Sequence, residues 1–444
     1  MKKFANACTR FVERFIPDAF LFAVILTVVC FVGALIFTES GAYATMMAWG
    51  KGIWGLLSFT AQICTAMVFG YALVKTPAVD KLLDAICRKV HSPAQAYFVA
   101  AAATAGLSWF SWSGGLICGG LIAVKLAQKV RGIHYPLLVA ACYSGWVTFQ
   151  CGPTAALLQP ATPGTWSDKL YGVIPVSSTA FAPWNWTIFI IAGFIVIPII
   201  MMRLAPSKSE KIIELNYSLD ESAAAVEKAP KISLKGLPFN TWCENNYLFN
   251  LVFGIAVIIY LIYYFINGGG LTFDSFNLIF LAVGLLLTPT PIQYVKTCAE
   301  GVSTCGGIIL QYPLYAGIQG IMVTTGLASV IADVFVALSS VRTLPWMAFI
   351  SGGFINMFIP SGGGQWNVQG PIFLDAATKL GASLPMTTMG VLYGDAWTNM
   401  IQPFWALPLL GIANLKIKDI MGYCVITLIL WFIIVTAVML LWPI

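Results

Sequence analysis

Two stretches of this chain place reactive side chains inside otherwise apolar sequence. The first is Pro360-Ser361-Gly362-Gly363-Gly364-Gln365; the second is Tyr393-Gly394-Asp395-Ala396-Trp397-Thr398-Asn399, closed by Gln402-Pro403. Asp395 can take up a proton. Alternatively, it can bias a cation site built from Ser361, Thr398, Asn399 and backbone carbonyls, because an oxygen-only ligand set suits a hard cation such as Na⁺. A carboxylate at the centre of a membrane helix costs about 2.5–3.5 kcal/mol on insertion scales, so its default reading is a functional one. The first half of the chain repeats part of this set in Ser113-Gly114-Gly115 and Thr148. There Gly145 and Phe149 stand where the second half has Asp395 and Asn399, so a cation site in that half would rely on carbonyls.

The same stretches suit an anion. Glycine, proline and hydroxyls that break apolar runs leave backbone groups unpaired, at several kcal/mol each in hydrocarbon, and such breaks persist where they line a cavity. Four half-helix N-termini are expected to converge near the midplane: those after the two glycine tips, and those beginning at Pro153 and Pro403, with proline at the first helical position. Each N-terminus carries roughly half a positive charge. No Lys or Arg lies in either tip or either break, so a small monoanion fits more easily than a di- or tricarboxylate. Trp109, Phe110, Trp112, Phe149, Phe358, Trp366 and Trp397 stand nearby, in keeping with a carboxylate carrying a short apolar tail. The expected substrate set is Trp112, Ser113, Gly114, Gly115, Ser361, Gly362, Gly363, Trp366 and Trp397. The expected coupling-ion set is Thr148, Asp395, Thr398 and Asn399, with a possible Na⁺ at Ser361, Thr398 and Asn399. Asn356, one turn before the second tip, is read as tying that hairpin together.

The elements that position these residues follow from composition. The chain is 59% hydrophobic and 9% charged, against about 25% charged residues in a soluble domain, so it is a polytopic membrane protein. The eleven cysteines form no C-x-x-C and no cluster with histidine, which argues against a disulfide framework and a metal centre. The formal charge of +6 is no nucleic-acid footprint, because the basic residues sit in loops and set topology. His91 and His134 read as solvated residues at helix starts.

In chain order, 1–18 reads as an amphipathic helix on the inner surface, followed by spans near 19–37 and 49–73 and an interfacial helix over 77–90. A re-entrant hairpin over 94–130 turns at its glycines. A span over 135–159 is broken around 149–153, and 186–202 returns. Of the chain's 24 Lys/Arg and 18 Asp/Glu, twelve fall in Arg203–Glu244, which marks 204–244 as a cytoplasmic linker after a first repeat over 1–203. The second part, 245–444, opens with a linking span at 247–266 and continues with spans near 276–287 and 297–323. An interfacial helix over 326–341, a hairpin over 345–379, a broken span over 385–412 and a last span over 420–442 complete it. With the N-terminus cytoplasmic, all Lys and Arg except Lys51, Lys169, Arg342 and Lys379 lie inside. That orientation gives nine crossings and two hairpins.

The two halves superpose in sequence. Gly52, Gln62, Val74 and Thr76 match Gly301, Gln311, Val323 and Thr325 at an offset of 249; Ser113-Gly114-Gly115 matches Ser361-Gly362-Gly363 at 248; Tyr143, Thr148 and Pro153 match Tyr393, Thr398 and Pro403 at 250. The linking span flips the second unit, so the repeats are inverted, one hairpin entering from each side. The expected fold class is therefore all-α: two inverted structural repeats with re-entrant hairpins and discontinuous helices, the architecture of a secondary transporter. An enzyme would need an activated nucleophile or a metal cluster, and neither is visible.

The segments Ile359-Pro360-Ser361-Gly362-Gly363-Gly364-Gln365-Trp366, Val368-Gln369-Gly370-Pro371 and Gln402-Pro403-Phe404-Trp405-Ala406-Leu407-Pro408 resemble the short-chain fatty acid transporter family (AtoE type). So do Arg14-Phe15-Ile16-Pro17-Asp18, Tyr312-Pro313-Leu314-Tyr315-Ala316-Gly317-Ile318-Gln319 and Asp419-Ile420-Met421-Gly422-Tyr423-Cys424. The resemblance runs over nearly the whole chain and is weakest in Arg203–Glu244. It implies uptake of butyrate- or acetoacetate-like monocarboxylates across the bacterial inner membrane. It also implies kinship with the ion-transporter superfamily, whose members are commonly homodimers working by an elevator motion. On that pattern 94–159 and 345–412 form the transport domain and the remaining spans the scaffold. Ser113, Ser361, Thr398 and Asn399 become site positions by analogy, and the coupling ion is Na⁺ or H⁺, with no other cofactor. A dicarboxylate transporter and a passive anion channel are the competing readings.

Overall fold

The computed structural model describes residues 19–55, 57–153, 155–161, 166–206, 212–215, 236–269, 273–360 and 362–443. The amphipathic helix expected over 1–18, most of the charged linker and Ser361 lie outside the described residues. Among those described, the chain is helical with no strand.

Among the described residues, three helices are long and apolar enough to cross a membrane unaided: Pro183–Arg203, Tyr247–Ile266 and Ile417–Leu441. The first of these carries a π-helical segment at Ile191–Val196. Large apolar side chains of the second, among them Val252, Phe253, Ile259 and Tyr263, are exposed. Such a band is unusual on a water-soluble surface. Most other elements are shorter or interrupted. Ile308–Thr324 and Leu327–Ala337 meet at a bend of 62°. Gly326, at φ +77°, makes the left-handed turn between them, a conformation costly for a residue with a Cβ. The run expected as one span near 49–73 is two helices, Ala42–Gly52 and Leu57–Val74. The run expected at 297–323 divides into Pro291–Val302, a 3₁₀ turn and Gly306–Thr324. Both divisions fall at glycines: Gly52 and Gly55 in one run, Gly301 and Gly306 in the other. Gly52 and Gly320 touch backbone to backbone, each leaving no room for a Cβ.

The two hairpins and two broken helices stand close to their expected bounds. Pro93–Phe110 and Trp112–Lys129 pack on each other across a break at Ser111; Leu344–Asn356 and Gly362–Leu380 do the same across 357–361. Gly114 and Gly115 lie inside the second arm rather than at the turn. The turn itself is Ser111, whose extended backbone ends one helix while its Oγ accepts the Gly114 N–H at 2.9 Å to cap the next. Tyr135–Trp146 runs into a 3₁₀ segment, Val147–Cys151, before Ala155–Ala161; Leu384–Thr398 runs through a turn into Ala406–Ala413. Pro153 and Pro403 therefore precede the half-helices instead of starting them. Between Pro403 and Ala406 the chain turns so that the Phe404 ring stacks on Tyr312 at 3.8 Å.

Packing sorts the helices into two groups. Ala19–Phe37, Ala42–Gly52, Leu57–Val74, Tyr247–Ile266, Phe273–Leu287, Pro291–Val302 and Gly306–Thr324 pack among themselves. The hairpins and broken helices form the other group. The spans Pro183–Arg203 and Ile417–Leu441, expected with the scaffold, pack instead on the hairpins and broken helices. Thr427 Oγ1 bonds Ser144 Oγ at 2.7 Å, Trp431 Nε1 donates to the Tyr393 carbonyl at 3.2 Å, and Trp397 Nε1 to the Leu428 carbonyl at 2.9 Å. The helix Pro77–Cys87, expected to be interfacial, is clamped to the first hairpin, with Lys125 on Asp84 at 2.8 Å and Lys129 on the Cys87 carbonyl at 2.7 Å. His134 is buried, not solvated; its Nδ1 accepts the Ile213 N–H at 3.1 Å.

Candidate functional site

The second hairpin tip, the first break and the second break meet at Asp395. Its carboxylate is 1% exposed. Gln150 Nε2, from the 3₁₀ segment of the first half, donates to Oδ2 at 2.7 Å, while Oδ1 has no partner among the described residues. A Cβ built on Gly362 would lie 2.7 Å from Gln150 Nε2, 3.1 Å from Ala156 Cβ and 3.3 Å from Asp395 Oδ2. One on Gly363 would lie 2.6 Å from Gln159 Nε2. Glycine is needed here because the hairpin backbone approaches side chains of both breaks directly.

Asn356 ties the second hairpin to the second break. Its Nδ2 lies 2.9 Å from the Asp395 carbonyl, 3.0 Å from Thr398 Oγ1 and 2.8 Å from Asn399 Oδ1. Thr398 Oγ1 in turn donates to the Gly353 carbonyl at 2.8 Å. In the first half Thr148 Oγ1 faces the Ala105 carbonyl at 3.4 Å, and Ala105 and Gly353 are themselves 248 apart. Each threonine hydroxyl thus reaches the corresponding place on its own hairpin, although Thr148 lies closer to the Gly145 carbonyl of its own helix, at 3.0 Å. Two tyrosines cross between halves: Tyr143 donates to the Asn399 carbonyl at 2.8 Å, and Tyr393 to Asn185 Oδ1, whose Nδ2 donates to the Cys151 carbonyl at 2.8 Å.

These bonds bear on the expected cation set. The Thr398 and Asn399 side-chain oxygens both accept from Asn356, whereas among the described residues Asp395 Oδ1, Asn356 Oδ1 and, on the second hairpin, Gln365 Oε1 have no partner.

An aromatic layer joins the first tip to the second break. Trp146 donates to the Trp112 carbonyl at 2.8 Å and stacks on Phe149 at 4.2 Å; Trp112 meets Trp405 edge-on at 4.9 Å. Trp366 is 1% exposed on the first turn after the second tip. Trp397 does not join this layer; its ring lies against Phe349 and Phe432 at 5.0 and 5.2 Å. Phe110 is 76% exposed, Trp109 stacks on Trp186 at 5.3 Å, and Phe358 lines an apolar cavity of about 270 Å³ with Phe354 and Phe37. Gly115 sits where a Cβ would fall 2.1 Å from Ser108 Oγ, so it serves the packing of the hairpin arms. The residue that sequence reasoning missed is Gln150. Its only signal is an amide between Phe149 and Cys151 inside the first break, at a position whose counterpart in the second half is Met400.

The short-chain fatty acid transporter family model matches residues 1–442. A protein of Escherichia coli (strain K12), provisionally named a short-chain fatty acid transporter, is 37% identical over 423 residues, 95% of each chain. One of Haemophilus influenzae (strain ATCC 51907 / DSM 11121 / KW20 / Rd), with the same provisional name, is 34% identical over 440 residues, again 95% of each. Two solved structures are similar in outline. Neisseria gonorrhoeae MtrF, described among a class of antimetabolite efflux pumps, has 16% identity and a TM-score of 0.45, with 99% of this chain and 97% of that one covered. The Alcanivorax borkumensis YdaH transporter, described as having an unusual topology, has 13% identity and a TM-score of 0.41, with 96% and 99% covered.

Proposed function

Because the chain belongs to the short-chain fatty acid transporter family, we propose that it takes up small monocarboxylates such as butyrate or acetoacetate by cation-coupled symport. It is a multi-pass membrane transporter and not an enzyme. The observation that carries the coupling is Asp395: a buried carboxylate with a single hydrogen-bond donor, at the meeting point of one hairpin tip and both breaks. A group in that position binds H⁺ or Na⁺ in exchange for its unmet electrostatic need, and coupling follows if substrate and cation stabilise the same closed arrangement.

The division into two packed groups supports an elevator. In that motion the hairpins and broken helices, with Pro183–Arg203 and Ile417–Leu441, move as one body against the other spans, and Pro77–Cys87 and Leu327–Ala337 serve as arms. The matched threonine bonds support inverted repeats. The setting we propose is the bacterial inner membrane, N-terminus cytoplasmic, as a homodimer in the lipid bilayer.

The test is labelled butyrate uptake into proteoliposomes under an imposed Na⁺ gradient and, separately, an imposed H⁺ gradient. Accumulation above equilibrium under one of them is the expected result and identifies the ion. Equilibration without accumulation would make the protein a passive channel, and accumulation of dicarboxylates alone would replace the substrate class.

A further inference from the structure

We infer that the substrate carboxylate is received by two neutral amides of the second break, Asn399 and Gln402; this rests on the monocarboxylate reading above. Both residues are fully buried. Asn399 Nδ2 and Gln402 Nε2 have no partner among the described residues. The other end of each amide fixes which atom is which. Gln402 Oε1 accepts the Phe404 N–H at 3.2 Å, so its NH₂ is the free end. Asn399 Oδ1 accepts from Asn356 Nδ2 at 2.8 Å, and Asn356 must present nitrogen because it also faces the Asp395 carbonyl. Reversing either amide would oppose donor to donor.

The two free NH₂ groups share one turn. Helix-like bonds continue past Thr398, with Met400 N–H on the Trp397 carbonyl and Ile401 N–H on the Thr398 carbonyl, so positions 399 and 402 lie on one face. Buried donors are almost always partnered, and two orphans on a single turn call for an acceptor that the described residues do not supply. A carboxylate offers two oxygens with lone pairs for both. No Lys or Arg lies in the break. Neutral donors hold a monoanion without the tight grip of a guanidinium, as a carrier that must release its cargo requires.

The seat is wired to the acid. Asn356 Nδ2 spans the Asp395 backbone carbonyl and Asn399 Oδ1, and its own Oδ1, like Asp395 Oδ1, has no partner among the described residues. A cation drawn to Asn356 Oδ1 holds that side chain in the orientation that presents Asn399 Nδ2 to the substrate.

The experiment measures KM and Vmax for butyrate in proteoliposomes of Gln402→Met, Gln402→Glu and Asn399→Asp, with thermal melting of each purified variant. Loss of a hydrogen bond to a charged group predicts a KM raised about tenfold or more. The rise should be equal for propionate, butyrate and valerate, because the carboxylate is common to all three. Asn399→Asp keeps the acceptor for Asn356, removes the outward donor and adds a negative charge that opposes the substrate carboxylate, so its KM should rise the most. A purely structural role would lower Vmax and melting temperature and leave KM alone; that result, or an unchanged KM in the Gln402 variants, overturns the seat while the transport reading stands. If the wild-type protein moves no monocarboxylate, the reading and the seat fall together.

Discussion

Asp395→Asn separates stability from coupling. In the wild type a carboxylate is buried at a cost of about 2.5–3.5 kcal/mol, and the one hydrogen bond from Gln150 returns about 1.5–3 kcal/mol, the range for a bond to a charged group. The balance lies between about zero and 2 kcal/mol unfavourable. The asparagine is nearly isosteric. Its oxygen accepts from Gln150 in the place of Oδ2, and its NH₂ takes the position of Oδ1, which has no partner to lose. Removing the charge therefore trades that imbalance for an unsatisfied donor costing about 1–3 kcal/mol, a net change within about 2 kcal/mol of zero in either direction. For a chain of this length the melting temperature should move by no more than a few degrees. Coupling is different, because the variant can neither take nor release a charge at this site. Accumulation of butyrate under either ion gradient should disappear. If the ion is H⁺, exchange of labelled for unlabelled butyrate should survive, since asparagine resembles the protonated carboxyl. Uptake against a gradient at the wild-type level would refute the argument, and a melting temperature lowered by ten degrees or more would make Asp395 a structural residue.

Three further outcomes follow from the same geometry. Gly362→Ala puts a methyl 2.7 Å from Gln150 Nε2 and 3.3 Å from Asp395 Oδ2; uptake should fall at least severalfold, and Gln150→Ala in the same chain should restore part of it, measured as butyrate uptake of single and double variants. Asn356→Ala removes the one donor shared by three acceptors, a loss of about 2–3 kcal/mol allowing for non-additivity, seen as a lower melting temperature in detergent. Gly145→Ala and Gly394→Ala set a Cβ 2.1 Å from the Ala101 carbonyl oxygen and 2.4 Å from the Phe349 carbonyl oxygen and the Gly353 nitrogen. Overpacking against backbone costs about 1–3 kcal/mol or more, so both variants should yield little monodisperse protein on size exclusion, to a similar degree in the two halves.

The breaks were legible because glycine, proline and amides inside apolar runs have few other uses, and four elements came out within a few residues of their bounds. The role of Asn356 was legible for the same reason: an amide one turn before a glycine tip must bond something. What sequence could not carry was adjacency across long separations. Gln150 and Asp395 are 245 apart and belong to different halves. Repeat matching works against finding such a pair, since it highlights what the halves share. Trp397 misled in the opposite sense, since its neighbours in sequence belong to the site, but two residues along a helix rotate a side chain to the other face. The assignment of Pro183–Arg203 and Ile417–Leu441 depended on which apolar faces meet, which composition alone does not encode.

That asymmetry explains why two similar halves make one site. The shared features, a hairpin, a threonine bonded back to it and a break before proline, build the frame, and each half uses them in the same way. The chemistry lies in what is not shared. The first break contributes a donor, Gln150, and stacked rings, Trp146 and Phe149. The second contributes the acid and the amides, Asp395, Asn399 and Gln402. Two identical breaks would place two carboxylates near the midplane, where like charges destabilise one another strongly. One acid with one amide opposite it leaves a single negative group with an unfilled side, which a cation can satisfy and release. On the mechanism proposed above, the frame that the halves share is the part that moves, and the residues that they do not share are the part that couples. It follows that exchanging Gln150 and Asp395 between halves should preserve the hydrogen bond and the fold, and should still disrupt coupling, because Asn356 would no longer stand beside the acid.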